Sequence, residues 1–391
     1  MIGLTEYIRK IGNYAFVVGI VFETLFVLLD KSSYIIQHET WAFRITFLLF
    51  ACKIACTKYT KREWAVMIAM IGIGVMSYFA TDREEVIRMV ALIVACKDIN
   101  IRAVMKLIFF ETLIGCLVIM GLSFMGIGGE VAITDMFRGG GIEETRYCFG
   151  MGHPNAFHCM FMVVLMLALA LFDAHIRWYG YVGAMVLNII VFLFTDSRTS
   201  LLITTVTIAL AVVLHYATTM RSKCYVYRLA ILLVVACVVF SVFISIVGVS
   251  IPILRQIDIR INGRFQWART NGAIEYWTLF STPENENVFD MGYVKMFYRY
   301  GVVPAIAYLL LLCVTLRQAV KRGFYEAFLM IMTFVMYTLI EAHAVSPYIG
   351  RNLPLIYIGY LLGTLQKEDE NGYHIFDIGK VGITAWNRIF K

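Results

Sequence analysis

Residues 229–249 read LAILLVVACVVFSVFISIVGV, an uncharged run that is long enough to cross a bilayer as one helix. Similar apolar runs recur along the chain, whose 391 residues are 60% hydrophobic and only 16% charged. This composition excludes a soluble globular domain and predicts an all-α polytopic membrane protein. We expect about twelve transmembrane helices, centred near 12–30, 41–57, 64–80, 84–97, 104–124, 155–173, 178–195, 199–216, 229–249, 291–316, 324–340 and 353–366.

The spacing of these runs predicts one polytopic domain over residues 1–366 and a polar cytoplasmic tail over 367–391. The connections at about 125–153, 250–290 and 341–352 are more than turns. The second of them is the longest and is amphipathic, so we expect it to carry short helices along the membrane interface. No small-residue cleavage site follows the first apolar run, which predicts an anchor and not a removed signal.

Lysine and arginine are concentrated in alternate connections between the predicted helices. The basic connections are the even-numbered ones, represented by Lys58, Lys97, Arg177, Arg221 and Arg322. Cytoplasmic loops carry the excess of positive charge, so both termini are predicted to be cytoplasmic and the three long connections extracytoplasmic. The net charge of +7 does not indicate nucleic acid as a partner, because no soluble basic region exists to bind it.

The cysteines and histidines do not form metal-binding patterns. Of nine cysteines, only Cys148 lies clearly in an extracytoplasmic connection, so no disulfide framework is expected there. Neither a CxxC nor an HExxH motif occurs. We therefore expect no metal and no cofactor.

Arginines gather in the connections that the topology rule leaves poor in positive charge. In residues 146–155, RYCFGMGHPN, Pro154 suits the first turn of a helix and His153 the position before it. Free backbone N–H groups at that helix start, with Arg146 nearby, would make an anion site. A glycine-rich return into the membrane, with His153 at the headgroups, is an equally good interpretation of this motif alone.

Two further motifs contribute guanidinium groups. In residues 196–200, DSRTS, Asp196 or Ser197 would cap a helix and place Arg198 about one turn into it, where a snorkelling arginine is the simpler interpretation. In residues 260–269, RINGRFQWAR, Arg264 and Trp267 would share a helix face and bind phosphate and sugar. The alternative is a basic helix lying on anionic lipid, but the Asn-Gly turn before Arg264 favours a site.

The last two charged segments lie near the C-terminal spans. Residues 290–301, DMGYVKMFYRYG, would place Asp290, Tyr293 and Lys295 near the outer surface, with Arg299 about a turn below Lys295. Glu23 and Glu111 are possible partners of Arg299, with structural ion pairing the default for both glutamates. The segment 341–352 adds three ionisable candidates, namely Glu341, His343 and Arg351.

Taken in order, these motifs resemble the O-antigen polymerase and ligase superfamily of bacterial surface-polysaccharide enzymes. The resemblance covers roughly residues 125–305 and is carried by Arg146, FGMGHPN at 149–155, Ser197-Arg198, Gly263-Arg264 with Trp267, and an Asp-x-x-Tyr stretch that ends at Tyr300-Gly301. The O-antigen ligases of this superfamily begin the last stretch with histidine. Here the stretch begins with Asp290, which favours a polymerase over a ligase.

The resemblance implies a GT-C-like helical fold in the bacterial cytoplasmic membrane. It also implies a metal-independent glycosyltransferase that joins oligosaccharide repeats carried on undecaprenyl diphosphate, with a chain-length regulator and a flippase as expected partners besides membrane lipids. The open alternatives are transfer of the glycan to another acceptor by a ligase-like enzyme, and a flippase or exporter of lipid-linked sugars.

The chemistry of such a transfer suits the residues independently of the resemblance. Negative charge develops on the leaving diphosphate, and arginine stabilises it without a metal. A base must also accept the proton of the acceptor hydroxyl, and the catalytic candidates are Asp290, His153 and His343, in that order. The predicted substrate-binding residues are Arg146, Asn155, Arg198, Arg260, Arg264, Trp267, Arg269, Tyr293, Arg299 and Arg351.

Overall fold

The fold is known from a computed structural model, which describes residues 2–34, 38–137 and 143–371. Within these ranges the chain forms fifteen α-helices and two short strands. The helices are α1 Ile2–Lys31, α2 Glu39–Ala55, α3 Lys61–Thr81, α4 Glu85–Ala95, α5 Ile101–Phe124, α6 Pro154–Leu171, α7 Trp178–Thr195, α8 Arg198–Tyr216, α9 Cys224–Val247, α10 Pro252–Arg260, α11 Arg264–Asn271, α12 Gly292–Tyr300, α13 Val302–Lys321, α14 Tyr325–Thr338 and α15 Pro354–Asn371.

Eight of these helices are long and apolar enough to cross a membrane. They are α1, α3, α5, α6, α7, α8, α9 and α13. Large apolar side chains point away from the bundle along several of them, as at Leu193, which is 73% exposed. Such an apolar exterior belongs against lipid and not water. The chain is therefore a multi-pass, mostly helical membrane protein, as its composition predicts.

Each of the twelve predicted spans overlaps a helix, but five of those spans differ from the expected form. The span predicted over 291–316 is broken at Gly301 into α12 and α13. Gly301 has a φ of 90°, and a Cβ atom there would lie 2.5 Å from the backbone nitrogen of Ser281. Only glycine fits both conditions. The helices α2, α4 and α14 are shorter than eighteen residues, and α4 and α14 are almost entirely buried among their neighbours. The apolar part of α15 is also short, because it ends at Thr364.

A small β-hairpin departs from the all-α expectation. Strands β1 Ala132–Asp135 and β2 Glu144–Tyr147 pair antiparallel inside the connection predicted at 125–153. Thr134 and Thr145 face each other and share a hydrogen bond of 2.8 Å between their hydroxyl groups. β-Branched residues in facing positions stabilise such a pair. The hairpin fixes the position of the chain that carries Arg146.

The segment 341–352 is packed into the bundle instead of forming an exposed connection. Arg88 of α4 donates a hydrogen bond of 2.7 Å to the carbonyl oxygen of Pro347. Gly350 lies so close to α1 that a Cβ atom would be 2.7 Å from the carbonyl oxygen of Glu23. These contacts show that neighbouring helices cover the irregular backbone of this segment.

The remaining domain boundaries are partly described. The connection predicted at 250–290 carries the short helices α10 and α11, as expected. The helix α15 continues to Asn371, beyond the predicted start of the tail at 367, and residues 372–391 lie outside the described ranges.

Candidate anion-binding site

Several of the predicted site residues meet at one end of the bundle because successive helices run in alternate directions. This end holds Lys31 at the end of α1, His153 before α6, Arg264 at the start of α11, Asp290 before α12 and Glu341 after α14. We call these five residues, together with Lys295 of α12, the charged cluster. They are drawn from five segments that lie far apart in the sequence, since Asp290 and Lys295 belong to the same one.

Arg264 is the most firmly held member of the charged cluster, with a side chain that is 9% exposed. Its Nη2 atom lies 2.5 Å from Oε1 of Glu341, and its Nε atom lies 3.3 Å from Oδ2 of Asp290. The Nη1 atom donates to Oγ1 of Thr199 at 3.1 Å and to the carbonyl oxygen of Ile340 at 3.3 Å. Since all three nitrogen atoms are engaged, the guanidinium group has one fixed orientation.

The local sequence explains why Arg264 points inward. Asn262 and Gly263 both adopt left-handed backbone conformations, with φ of 60° and 76°, and they turn the chain from α10 into α11. Asp258 then accepts a hydrogen bond of 2.7 Å from the backbone N–H of Phe265, which satisfies one free donor at the start of α11. The turn predicted from the Asn-Gly pair is therefore confirmed.

Gly292 brings Asp290 and Glu341 to the same guanidinium group. A Cβ atom at Gly292 would lie 2.6 Å from the carbonyl oxygen of Glu341 and 2.7 Å from that of Thr338. Only a glycine permits this approach between the start of α12 and the end of α14. The side chain of Asp290 stays 52% exposed, so its carboxylate faces open space as well as Arg264.

Burial raises the pKa of Glu341 to about 7, although Arg264 acts in the opposite direction. The Glu341 side chain is 15% exposed. Below neutral pH this carboxyl group therefore takes up a proton, and the charged cluster becomes more positive. The ionisation of Glu341 thus sets how much of the Arg264 charge is available to an anion.

His153 has the capping position that the sequence predicts. It precedes Pro154, the first residue of α6, and its Nδ1 atom accepts a hydrogen bond of 3.1 Å from the backbone N–H of Asn155. This contact uses the backbone of Asn155, whose half-buried side chain lies one residue into the helix. The ring of His153 also packs edge-on against Phe137, with 5.9 Å between ring centroids.

His153 lies close to charged residues of both predicted arginine motifs. Burial lowers its pKa below the usual value, so the imidazole is neutral at physiological pH and able to accept a proton. Weaker electrostatic influences on His153 come from Asp290, Arg146, Lys31 and Arg264. The motif at 146–155 and the motif at 260–269 therefore face the same small region.

Arg146 lies beside the charged cluster, but carboxylates already surround it. Its Nη2 atom lies 2.5 Å from Glu144 and 3.0 Å from Asp196, and its guanidinium carbon lies 4.4 Å above the ring of Phe137. The side chain is only 7% exposed. Arg146 therefore ties the β-hairpin to the end of α7, and its charge is largely neutralised.

Other predicted arginines and Trp267 lie away from this cluster. Arg198 is the exposed first residue of α8, not one turn into it, and Arg260 is exposed at the end of α10. Arg269 forms a bidentate ion pair with Glu275, with N–O distances of 2.9 and 3.0 Å. Trp267 is 59% exposed whereas Arg264 is buried, so the two do not share a face as expected.

Tyr293 and Arg299 lie deeper than their motif suggests. Tyr293 is 2% exposed and donates a hydrogen bond of 3.0 Å to the carbonyl oxygen of Val335, so it belongs to the packed interior and not to the surface. Arg299 pairs with Glu85 at 2.5 Å. The expected partners Glu23 and Glu111 are therefore wrong for Arg299.

The two glutamates that were expected near Arg299 have other surroundings. Glu23 is fully buried and pairs with Arg88 at 2.8 Å, while the hydroxyl of Thr46 donates to the same carboxylate at 2.5 Å. The Oε2 atom of Glu111 has no hydrogen-bond partner among the described residues. The Glu23–Arg88 pair thus links α1, α2 and α4 in the interior.

His343 and Arg351 are also drawn into the packing. His343 is 7% exposed, its Nδ1 atom lies 3.4 Å from Sγ of Cys159, and burial lowers its pKa to about 3. It is therefore neutral and shielded behind Phe334 and Tyr337. Arg351 forms an ion pair with Asp30. These contacts give both residues a clear role in holding the segment 341–352.

Two lysines distinguish the charged cluster from an ordinary set of ion pairs. Lys31 and Lys295 are half-buried, and neither has a hydrogen bond or an ion pair with another residue in the described part of the chain. The charges of the two lysines interact with each other, and Lys295 also interacts electrostatically with Arg299, Asp290 and Glu85. The predicted arginines are mostly neutralised, so these lysines carry the available positive charge.

Sequence reasoning missed Lys31 and did not pair Glu341 with Arg264. The signal for Lys31 was its place at the end of the first span, on the side where the topology rule leaves positive charge scarce. Within residues 2–34, 38–137 and 143–371, no group of three or more His, Cys, Asp or Glu side chains is arranged to hold a metal. The arrangement suits an anion bound by amine and guanidinium groups beside an accessible carboxylate.

Comparison of the chain with protein-family models, with curated proteins and with solved structures finds no match. The resemblance to the polysaccharide polymerases therefore stays a prediction that depends on the sequence motifs.

Proposed function

We propose that this protein is a glycosyltransferase that polymerises oligosaccharide repeats carried on undecaprenyl diphosphate. The observation that carries the proposal is the fixed guanidinium group of Arg264 beside the half-exposed carboxylate of Asp290. A fixed cation next to an accessible base is what glycosyl transfer from a diphosphate requires. His153 adds a neutral imidazole to the same region, and Lys31 and Lys295 add two amines that have no hydrogen-bond or ion-pair partner among the described residues.

The proposed reaction is a displacement at the anomeric carbon of the donor sugar. The oxygen of the acceptor hydroxyl forms a bond to that carbon while the bond from the carbon to the diphosphate oxygen breaks. The electron pair of the broken bond stays on the diphosphate lipid, and the hydroxyl proton passes to Asp290. Arg264 orients Asp290 and holds positive charge close to the developing negative charge.

Asp290 is preferred to the two histidines as the proton acceptor. Its carboxylate is half-exposed, whereas the imidazole of His343 is buried behind aromatic rings. His153 is neutral and lies at the open end of α6, so it is the second candidate for the base.

The proposed membrane arrangement has twelve spans, with the broken segment α12–α13 counted as one, and a GT-C-like helical fold. Both termini would be cytoplasmic, and the charged cluster would face outward from the bacterial cytoplasmic membrane. The basic alternate connections support this orientation. A flippase would supply the lipid-linked repeat and a chain-length regulator would limit the product.

A complementation experiment tests the proposed function. The gene is deleted, and variants Arg264→Lys and Asp290→Asn are expressed to wild-type levels in the membrane fraction. The surface glycan is then sized on a gel. A polymerase predicts single repeats in place of long chains for both variants, because chain growth is lost while repeat supply continues. Long polymer from both variants would overturn the assignment.

The same experiment separates the alternatives. A ligase predicts long polymer that stays on its lipid carrier and does not reach its acceptor. A flippase predicts complete lipid-linked repeats held on the inner leaflet. The ligase is disfavoured because Asp290 stands where the ligases have a histidine. The flippase is disfavoured because the buried charges have structural roles: Arg299 pairs with Glu85, and Glu23 pairs with Arg88.

A further inference from the structure

An apolar crevice lies between α3, α4, α12, α13 and the start of α15, and it shares the helix α12 with the charged cluster. Its walls include Met70 of α3, Met89 of α4, Met296 of α12 and Ala307 of α13. The enclosed part of the crevice is about 50 Å³, and the rest of its space is open to the outside. Methionine side chains are flexible and adapt to an irregular apolar ligand, so these walls suit a hydrocarbon chain.

The crevice opens toward the lipid. Ile306 and Leu310 stand beside it on α13 and are 47% and 62% exposed, and Ile71 of α3 is 40% exposed. These side chains belong to helices that are long and apolar enough to cross a membrane. A hydrocarbon chain can therefore enter the crevice sideways from the bilayer without passing through water.

An ion pair lies at one end of the crevice. The ion pair between Arg299 and Glu85 joins α12 to α4, and the residue after each, Tyr300 and Val86, lines the crevice. Lys295 lies four residues before Arg299, about one helical turn closer to the start of α12. Met296, the residue after Lys295, lines the crevice, so Lys295 lies next to the crevice wall in the sequence of α12.

We propose that this crevice and the two lysines without a partner among the described residues, Lys295 and Lys31, bind one long-chain lipid with a diphosphate head group. The hydrocarbon chain lies in the crevice, and the two amines face the two phosphates. This assignment rests on the proposed function for the kind of lipid, but it moves the head-group contacts from the predicted arginines to lysines. The reason is that Arg146, Arg264, Arg269, Arg299 and Arg351 already have carboxylate partners.

The charge of a diphosphate also separates it from ordinary phospholipids. A phosphodiester head group carries one negative charge and would satisfy one lysine. A diphosphate carries at least two, so it satisfies both amines without displacing Asp290 or Glu341 from Arg264. The positive charges of Lys295 and Lys31 repel each other, and a bound anion offsets that repulsion.

Binding to the purified protein tests this site without any turnover. The probes are geranylgeranyl diphosphate, inorganic diphosphate and phosphatidylglycerol, titrated into the full chain in detergent. The variants are Lys295→Gln for the head group and Ala307→Trp for the crevice. Ala209→Trp is the matched control, because Ala209 is exposed on α8, away from the crevice.

The expected result has two parts. Ala307→Trp weakens geranylgeranyl diphosphate by about tenfold or more and leaves inorganic diphosphate unchanged, while Ala209→Trp binds both as wild type does. Lys295→Gln weakens both diphosphates. Phosphatidylglycerol at equal concentration does not displace the lipid diphosphate from the wild type.

Three outcomes would overturn the proposal. Unchanged lipid binding by Ala307→Trp would place the chain elsewhere, unchanged diphosphate binding by Lys295→Gln would remove the head-group assignment, and equal competition by phosphatidylglycerol would indicate an ordinary boundary lipid. The proposed function fails separately, through long surface glycan from the Arg264 and Asp290 variants. The two failures are therefore distinguishable.

Discussion

The neighbouring helices α10 and α11 carry similar basic sequences but use them in different ways. In α10, Arg260 is exposed and lies among the exposed side chains of Ile253, Ile257 and Ile259. In α11, Arg264 is buried against Glu341 and Asp290. The first pattern is that of a helix lying on a lipid surface, and the second is that of a prepared site.

The difference shows that the charge alone does not make an arginine functional. Arg260 and Arg264 differ because the left-handed turn at Asn262 and Gly263 changes the direction of the chain between them. The Arg264 side chain therefore points into the protein, whereas the Arg260 side chain stays outside. One basic run thus provides both a membrane contact and a fixed cation.

The largest effect is expected from Arg264→Gln. Loss of a fixed charge donor costs about 10²–10³-fold in rate, and here it also leaves Asp290 and Glu341 without their shared partner. The rate of polymer formation is measured with lipid-linked repeats and purified protein in liposomes. Arg269→Gln, on the same helix but outside the charged cluster, serves as the control and should keep most of the activity. Equal losses from both variants would contradict the contrast.

Asp290→Asn should reduce the same rate by about 10²-fold, the lower part of the range for loss of a general base. Binding of inorganic diphosphate should persist, because asparagine removes a negative charge and leaves Lys31 and Lys295 in place. Parallel loss of binding and rate would mean that Asp290 supports the structure and not the proton transfer. Glu275→Gln is a control that removes an exposed carboxylate from the same connection.

The pH dependence of anion binding should trace the ionisation of Glu341. The pKa of this residue is about 7, so lowering the pH from 8 to 6 neutralises it and frees positive charge on Arg264. We expect diphosphate to bind the wild type about tenfold more tightly at pH 6 than at pH 8, relative to Glu341→Gln. Protonation of the diphosphate itself affects both proteins alike. A constant ratio between the two across this range would refute the role of Glu341.

The smallest effect is expected from Arg198→Gln and Arg260→Gln. Both arginines are exposed and lack ion-pair partners within the described ranges, so they can contact only the outer part of a bound glycan. KM should rise by a few-fold at most, with kcat unchanged. A large fall in kcat for either variant would show that the exposed arginines reach the reacting phosphate, and it would remove the distinction between α10 and α11.

The local features of this molecule were predictable from sequence. The apolar runs predict the helix positions, Pro154 predicts the start of α6, and Asn262-Gly263 predicts the turn before α11. Each depends on residues within a few positions of one another, where backbone preferences decide the outcome. The β-hairpin at 132–147 was missed because its glycine-rich centre obscures two short strands of only four residues each.

The charge pairing was not predictable in the same way. Arg264 and Glu341 are 77 positions apart, and Arg299 and Glu85 are 214 positions apart. Which carboxylate meets which guanidinium depends on how the helices pack, and the sequence offered several partners of the right charge. The motifs therefore indicated where cations would gather, but not which of them would remain unpaired.

The buried pair of Glu23 and Arg88 has a consequence for biogenesis. The helix α4 has only eleven residues and carries Arg88, so it is too short and too polar to leave the insertion machinery for lipid by itself. The helix α1 is synthesised earlier and brings Glu23, whose carboxylate offsets the cost of the arginine. We therefore expect α4 to enter the membrane together with α1. Replacing Glu23 with leucine should reduce the amount of protein in the membrane before it affects any turnover.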